Sequence, residues 1–152
     1  MFSLVYIVIL LRILPPRLLL GLNTLQDFDV SHNRINSINK LLFKDCASLK
    51  RLNLSNNNLL ALSKWELKNV LALEVLNLNQ NRIRDLGGLN FEGRNLKIVD
   101  LSSNNIDKLQ STVFNNLDNV EEFYLQYNKI SWLSIAFTGN LKHPNWFTVN
   151  NE

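Results

Sequence analysis

Five asparagines, Asn33, Asn57, Asn81, Asn104 and Asn128, recur at intervals of 24, 24, 23 and 24 residues, each inside the same apolar frame. In the copy from Leu96 to Ile106 that frame reads L-x-x-V-x-L-x-x-N-x-I. Counted from starts at Leu25, Leu49, Leu73, Leu96 and Val120, position four is Phe28, Leu52, Leu76, Val99 or Phe123. Position six is Val30, Leu54, Leu78, Leu101 or Leu125, and position eleven Ile35, Leu59, Ile83, Ile106 or Ile130. Position fourteen is Ile38, Leu62, Leu86, Leu109 or Leu133. Position nineteen holds Phe43, Leu67, Phe91 and Phe114, with Phe137 one place early in the fifth copy. A period of this length constrains the fold more than any other feature. One unit cannot bury its own apolar face, whereas at least three stacked units share a continuous core.

Within each unit, positions four and six alternate with polar neighbours, as a half-buried strand requires. Each copy therefore contributes one strand to a parallel sheet. Where the chain turns off the strand, backbone groups would be buried unpaired. An asparagine can donate and accept there at once, so successive copies can form a ladder between rungs.

The frame resembles the leucine-rich repeat family, whose unit is L-x-x-L-x-L-x-x-N-x-L followed by a variable half. The 24-residue length and the aromatic near position nineteen look like its typical class, found in Toll-like receptor ectodomains, small extracellular proteoglycans and insect immune proteins. The resemblance covers residues 14 to 149. It implies an α/β-type repeat solenoid: a horseshoe arc with a short-stranded parallel β-sheet on the concave face, and loops, turns or short helical segments on the convex face. It also implies an extracellular or secreted, receptor-like or innate-immune recognition role; the alternative compartment is the cytoplasm.

The expected organisation is a hydrophobic segment over 1–24, five repeats over 25–143 and a truncated repeat over 144–152. Two readings of residues 1–24 stand open. Phe2 to Leu11 has the length of a secretory signal's apolar stretch, but no basic residue precedes it, Arg12 follows at once and no small-x-small site is present. Alternatively Leu4, Leu11, Leu14, Pro15, Leu19 and Leu22 fall in register as an imperfect first rung, with Ile9 in place of the asparagine. Membrane contact is expected only if residues 1–20 act as signal or anchor, since no later stretch approaches the roughly 18 apolar residues of a span. Relatives of the extracellular kind carry cysteine-rich caps at both ends, and the single Cys46 makes no such cap here. Uncapped apolar edges invite self-association, so a fragment of a longer array that associates edge to edge is the second functional reading.

Sixteen Lys and Arg against thirteen Asp and Glu leave a net charge of +3. The cations are scattered and interleaved with acids, which argues against nucleic acid as partner. His32 and His143 lack metal-ligand spacing, and the sequence has no Gly-rich phosphate loop, G-x-S-x-G or Cys–His arrangement. The reading is therefore non-enzymatic, with no cofactor and no metal. Gly87, Gly88 and Gly93 mark a tight irregular turn in the one shortened repeat.

Function in this architecture falls on strand positions two, three, five, seven and eight, which face solvent. Position two runs Gln26, Lys50, Glu74, Lys97, Glu121, alternating in sign, as a lateral charge ladder would. One cluster is richer. Tyr124 and Tyr127 belong to the fifth rung and Trp146 to the next, with Glu122 adjacent, and exposed aromatics beside charges are what interfaces use. Covering the C-terminal edge is the structural alternative. At the other end Asp27, Asp29, His32, Lys50 and Arg51 make a mixed-charge patch, which a solvated surface explains equally well. The expected partner is a protein ligand or receptor, contacted through Tyr124, Tyr127, Trp146, Glu122, Arg51 and Asp29. Asn53-Leu54-Ser55 is a glycosylation sequon on the same face.

Overall fold

The computed structural model describes residues 2–5, 10–63, 65–86, 95–109, 119–133 and 147–148. Position three of every copy starts or lies in a strand. The main sheet is made of β1 (Phe2–Val5), β2 (Leu25–Asp29), β3 (Arg51–Asn53), β4 (Val75–Asn77), β5 (Ile98–Asp100), β7 (Glu122–Tyr124) and β9 (Phe147–Thr148). Its seven strands pair in sequence order, every pair parallel. Register follows repeat position without slippage from β2 onward: Phe28 pairs with Leu52, Leu52 with Leu76, Leu76 with Val99 and Val99 with Phe123. A one-residue slip would turn each buried side chain outward, so the apolar frame itself fixes this register.

A second, sparser parallel ladder runs along position thirteen. It comprises β6 (Lys108–Leu109) with β8 (Trp132–Leu133), and the single bridges Ile13 to Ser37 and Ala61 to Asp85. The return path beyond it is built of turns, over 16–21, 40–45 and 65–69, closed by bonds such as Leu18 N to Pro15 O at 3.0 Å and Leu42 N to Asn39 O at 2.9 Å. No α-helix occurs among the described residues, so the expected solenoid uses turns on its convex side.

The core lies between these two ladders. Positions one, four, six and eleven are buried in all five copies, from Leu25, Phe28, Val30 and Ile35 to Val120, Phe123, Leu125 and Ile130. The aromatic of position nineteen completes it in the first copy, where Phe43 meets Phe28 edge-on at 6.1 Å between ring centroids. Phe91, Phe114 and Phe137 lie outside the described residues, as do Gly87, Gly88 and Gly93.

Candidate functional site

The ladder asparagines work through the backbone. Asn57 Nδ2 donates to Val30 O of the preceding rung and to Leu54 O and Ser55 O of its own, at 3.0–3.1 Å. Its Oδ1 accepts the Ile35 N–H at 2.9 Å. Asn81, Asn104 and Asn128 repeat the pattern, taking the N–H of Leu59, Ile83 and Ile106. Asn33 extends it to the N-terminal segment, accepting from Leu11 N at 3.1 Å. Each amide thus joins two rungs through carbonyls and N–H groups rather than through the next asparagine. These five side chains are buried and hold the scaffold on which the exposed positions stand.

Position five shapes the exposed face. Asp29, Asn53, Asn77 and Asp100 each accept the N–H two residues ahead, from Ser31, Ser55, Asn79 and Ser102, at 2.8–3.1 Å. Such Asx turns bend the chain toward position eight, where His32, Asn56, Gln80, Ser103 and Tyr127 all take left-handed backbone, with φ between 53° and 59°. In the fifth rung Tyr124 replaces the turn-forming residue. Its hydroxyl donates to Glu122 Oε2 at 2.7 Å, and that hydrogen bond, with smaller help from burial and nearby carboxylates, raises its pKa. Tyr127 is 62% exposed. The structure brings Tyr124 and Glu122 together on β7; Trp146 lies outside the described residues. Gln126, between the two tyrosines, has a buried Oε1 without a hydrogen-bond partner among the described residues.

At the opposite end, a depression of about 450 Å³ opens over β1 to β4. Arg51 pairs through Nε with Asp27 Oδ1 in its wall. Asp27 Oδ2 is buried and has no hydrogen-bond partner among the described residues. Asp29, by contrast, is fully used: Ser31 N binds one oxygen and Asn53 Nδ2 the other, at 3.0 Å. Val5 and Val75, with the buried Phe28 and Leu52 beneath, supply the apolar part of the wall. Of the charged patch read from sequence, Arg51 and Asp27 form the ion pair, while Asp29 turns to its neighbours in the chain and the next rung. Asn53 has its amide nitrogen bound to Asp29, so the sequon nitrogen is engaged in the folded chain. Between the two ends, Glu74 sits between Lys50, at 3.2 Å, and Lys97, at 3.6 Å, as the alternation at position two anticipates.

Cys46 is part of the core. Burial, with the Asp45 carboxylate adding to it, pushes its thiol up to about 11, so it is protonated at neutral pH. Among the described residues no group of three His, Cys, Asp or Glu is placed to hold a metal ion, and no helix is long and apolar enough to cross a membrane.

Parallel rungs, an asparagine at each turn and a polar face free for contact define a repeat solenoid of the recognition type. The Leucine rich repeat family model matches residues 10–59, 23–83 and 94–142, and the chain belongs to that family. No curated protein matches the chain. Among solved structures, it is similar to a chain in the structure of the Toll–Spatzle complex, described as a molecular hub in Drosophila development and innate immunity. The TM-score is 0.57 at 23% identity, covering 80% of this chain and 21% of the other. That likeness shows the fold, and this chain spans about a fifth of the length of its neighbour.

Proposed function

We propose that the chain is a non-enzymatic protein-binding module that takes its partner on the concave sheet. The observation that carries this is the depression over β1 to β4. It combines a charged pair, Arg51 with Asp27, a carboxylate oxygen without a partner among the described residues, and apolar Val5 and Val75 on the sheet. Such a surface offers a donor-bearing, partly apolar side chain both burial and a hydrogen bond. The fifth rung supports a second contact area. A bulky residue in left-handed backbone costs about 1–2 kcal/mol more than glycine would, and Tyr127 adopts it while contributing nothing to the core. All five copies share that backbone at this position; what sets the fifth apart is a large aromatic ring left open to a partner. Tyr124, Tyr127 and Glu122 form that area, with Trp146 proposed beside them.

The family and the fold of the Toll–Spatzle neighbour support protein as the class of partner, and extracellular recognition as the setting. Residues 1–24 act, in this reading, as a first rung: Leu11 N reaches Asn33 Oδ1, and Leu14 and Leu19 are buried in the shared core.

The test is affinity capture from extracellular medium, with captured proteins identified by mass spectrometry and then measured individually against variants. Val75→Arg fills the depression, and Tyr124→Ala with Tyr127→Ala removes the aromatic pair. A concave-face partner loses roughly tenfold or more in affinity to one of these variants, the effect of losing a central contact, with the thermal midpoint unchanged. A partner held equally by both variants would overturn the concave assignment.

A further inference from the structure

Four of the sixteen cations that look scattered in sequence are gathered in space on one flank, just past the asparagine ladder. Position ten carries Arg34 and Arg82, and position twelve Arg12 and Arg84. Successive rungs are stitched there by backbone bonds: Arg34 N to Leu11 O and Arg82 N to Leu59 O, both 2.9 Å, and Asn36 N to Arg12 O at 3.2 Å. These bonds set the side chains in columns about 4.8 Å apart. Across the first four rungs, positions ten and twelve hold four arginines and no acid: Leu10, Arg12, Arg34, Asn36, Asn58, Leu60, Arg82 and Arg84. The acids on this flank begin only at Asp85 and Asp107.

A depression of about 280 Å³ lies among Arg12, Arg34, Asn36, Asn58, Leu60 and Arg82. All three arginines are exposed. The ion pairs among the described residues all lie on the concave sheet and none uses a flank arginine. Like charges gathered on one flank repel one another, so an anionic occupant relieves a standing repulsion. Guanidinium groups favour planar, bidentate acceptors such as carboxylates. The apolar rim narrows the class further. Leu10, Ile13 and Leu60 are 60%, 65% and 59% exposed beside the arginines, and apolar side chains match apolar side chains. Nucleic-acid channels use aromatic platforms for the bases, and the lining contains no aromatic residue.

We propose that this flank is a docking surface for an acidic protein segment in which carboxylates and aliphatic side chains are mixed. It is separate from the concave site, and each can fail without the other.

The experiment is fluorescence anisotropy on the full chain with a labelled peptide of repeating Glu-Glu-Leu. A Glu-Glu-Ser peptide, a sulfated heparin oligosaccharide and an oligothymidylate serve as comparison probes. The expected result is binding of Glu-Glu-Leu that weakens with salt and falls about tenfold in Arg34→Gln with Arg82→Gln, the sum of two surface charge contacts. Glu-Glu-Ser, and Leu60→Ser against Glu-Glu-Leu, are each several-fold weaker. Val75→Arg binds as the parent does, which separates this surface from the concave one. No binding of Glu-Glu-Leu to the parent chain would overturn the proposal, as would indifference to the arginine pair. Tighter, arginine-dependent binding of the sulfated or nucleic-acid probe would overturn the assignment to a peptide. Arg12→Gln with Arg34→Gln provides a second pair should the first variant fail to fold.

Discussion

Asn57 is surrounded by carbonyl oxygens of Val30, Leu54 and Ser55 on its nitrogen side and by one N–H, from Ile35, on its oxygen side. Asn57→Ala leaves these groups buried and unpaired, and the loss is on the order of 1–3 kcal/mol in urea unfolding. Asn57→Asp keeps the shape and the acceptor but replaces the donor by a second acceptor facing carbonyls. Its loss at neutral pH therefore equals or exceeds that of alanine. An aspartate variant as stable as the parent would show that filling space, not donating, is the role of this side chain. The five asparagines could be seen in the sequence because a buried turn needs one residue type. Asp27 could be seen only as one member of a charged patch; its pairing with Arg51 across the strand pair and its place in the wall leave no periodic mark.

At the scale of the strand, side chains of one position meet across rungs, and the position-two column is the plainest case. Lys50 hydrogen-bonds Glu74 and, with weaker attraction from Lys97 across the next pair, holds its carboxyl below the ordinary carboxylate value. A group whose pKa is lowered by folding stabilises the fold above its unfolded value, and that contribution fades as pH falls through the folded value. The parent should accordingly melt higher than Glu74→Gln near neutral pH, by a small margin because the group is open to water. The two melting curves should merge once the pH has fallen through the folded value, where the carboxylate is protonated in both states. A gap that persists in acid would assign the difference to packing. Alternating signs made this column legible from sequence. The arginine flank was not, because in sequence its arginines stand in unlike surroundings: Arg12 among apolar residues, Arg34 and Arg82 beside asparagines, and Arg84 followed at once by Asp85. Only the rung-to-rung bonds of Arg34, Asn58 and Arg82 bring these separate positions onto one flank. The convex side was only partly legible: turns and short helices share the same apolar spacing, and the i to i+3 bonds at Leu18, Leu42 and Val70 decide for turns.

For the whole molecule, the decisive property is that each rung touches only the rungs beside it, so stability is close to a sum of rung and interface terms. Two leucines with the same burial then test the architecture by their location. Leu76 lies in the central β4, paired with β3 on one side and β5 on the other, and is 0% exposed. Leu14, 1% exposed, lies in the N-terminal segment, whose stacking partner among the described residues is the rung after it. Truncation of either to alanine removes the same atoms, at about 2–5 kcal/mol of local stability. The consequences differ in reach. Leu14→Ala should raise hydrogen exchange in the first two rungs while the amides of β4 and β5 keep their protection. Leu76→Ala weakens two interfaces at once, so protection falls on both sides, from β3 through β5, and the urea transition broadens as the two halves uncouple. If Leu14→Ala instead lowered protection uniformly from β2 to β7, the chain would be unfolding as one cooperative unit. Nearest-neighbour stacking would then be insufficient to describe it, and the concave and flanking surfaces could not be treated as independent of the first rung.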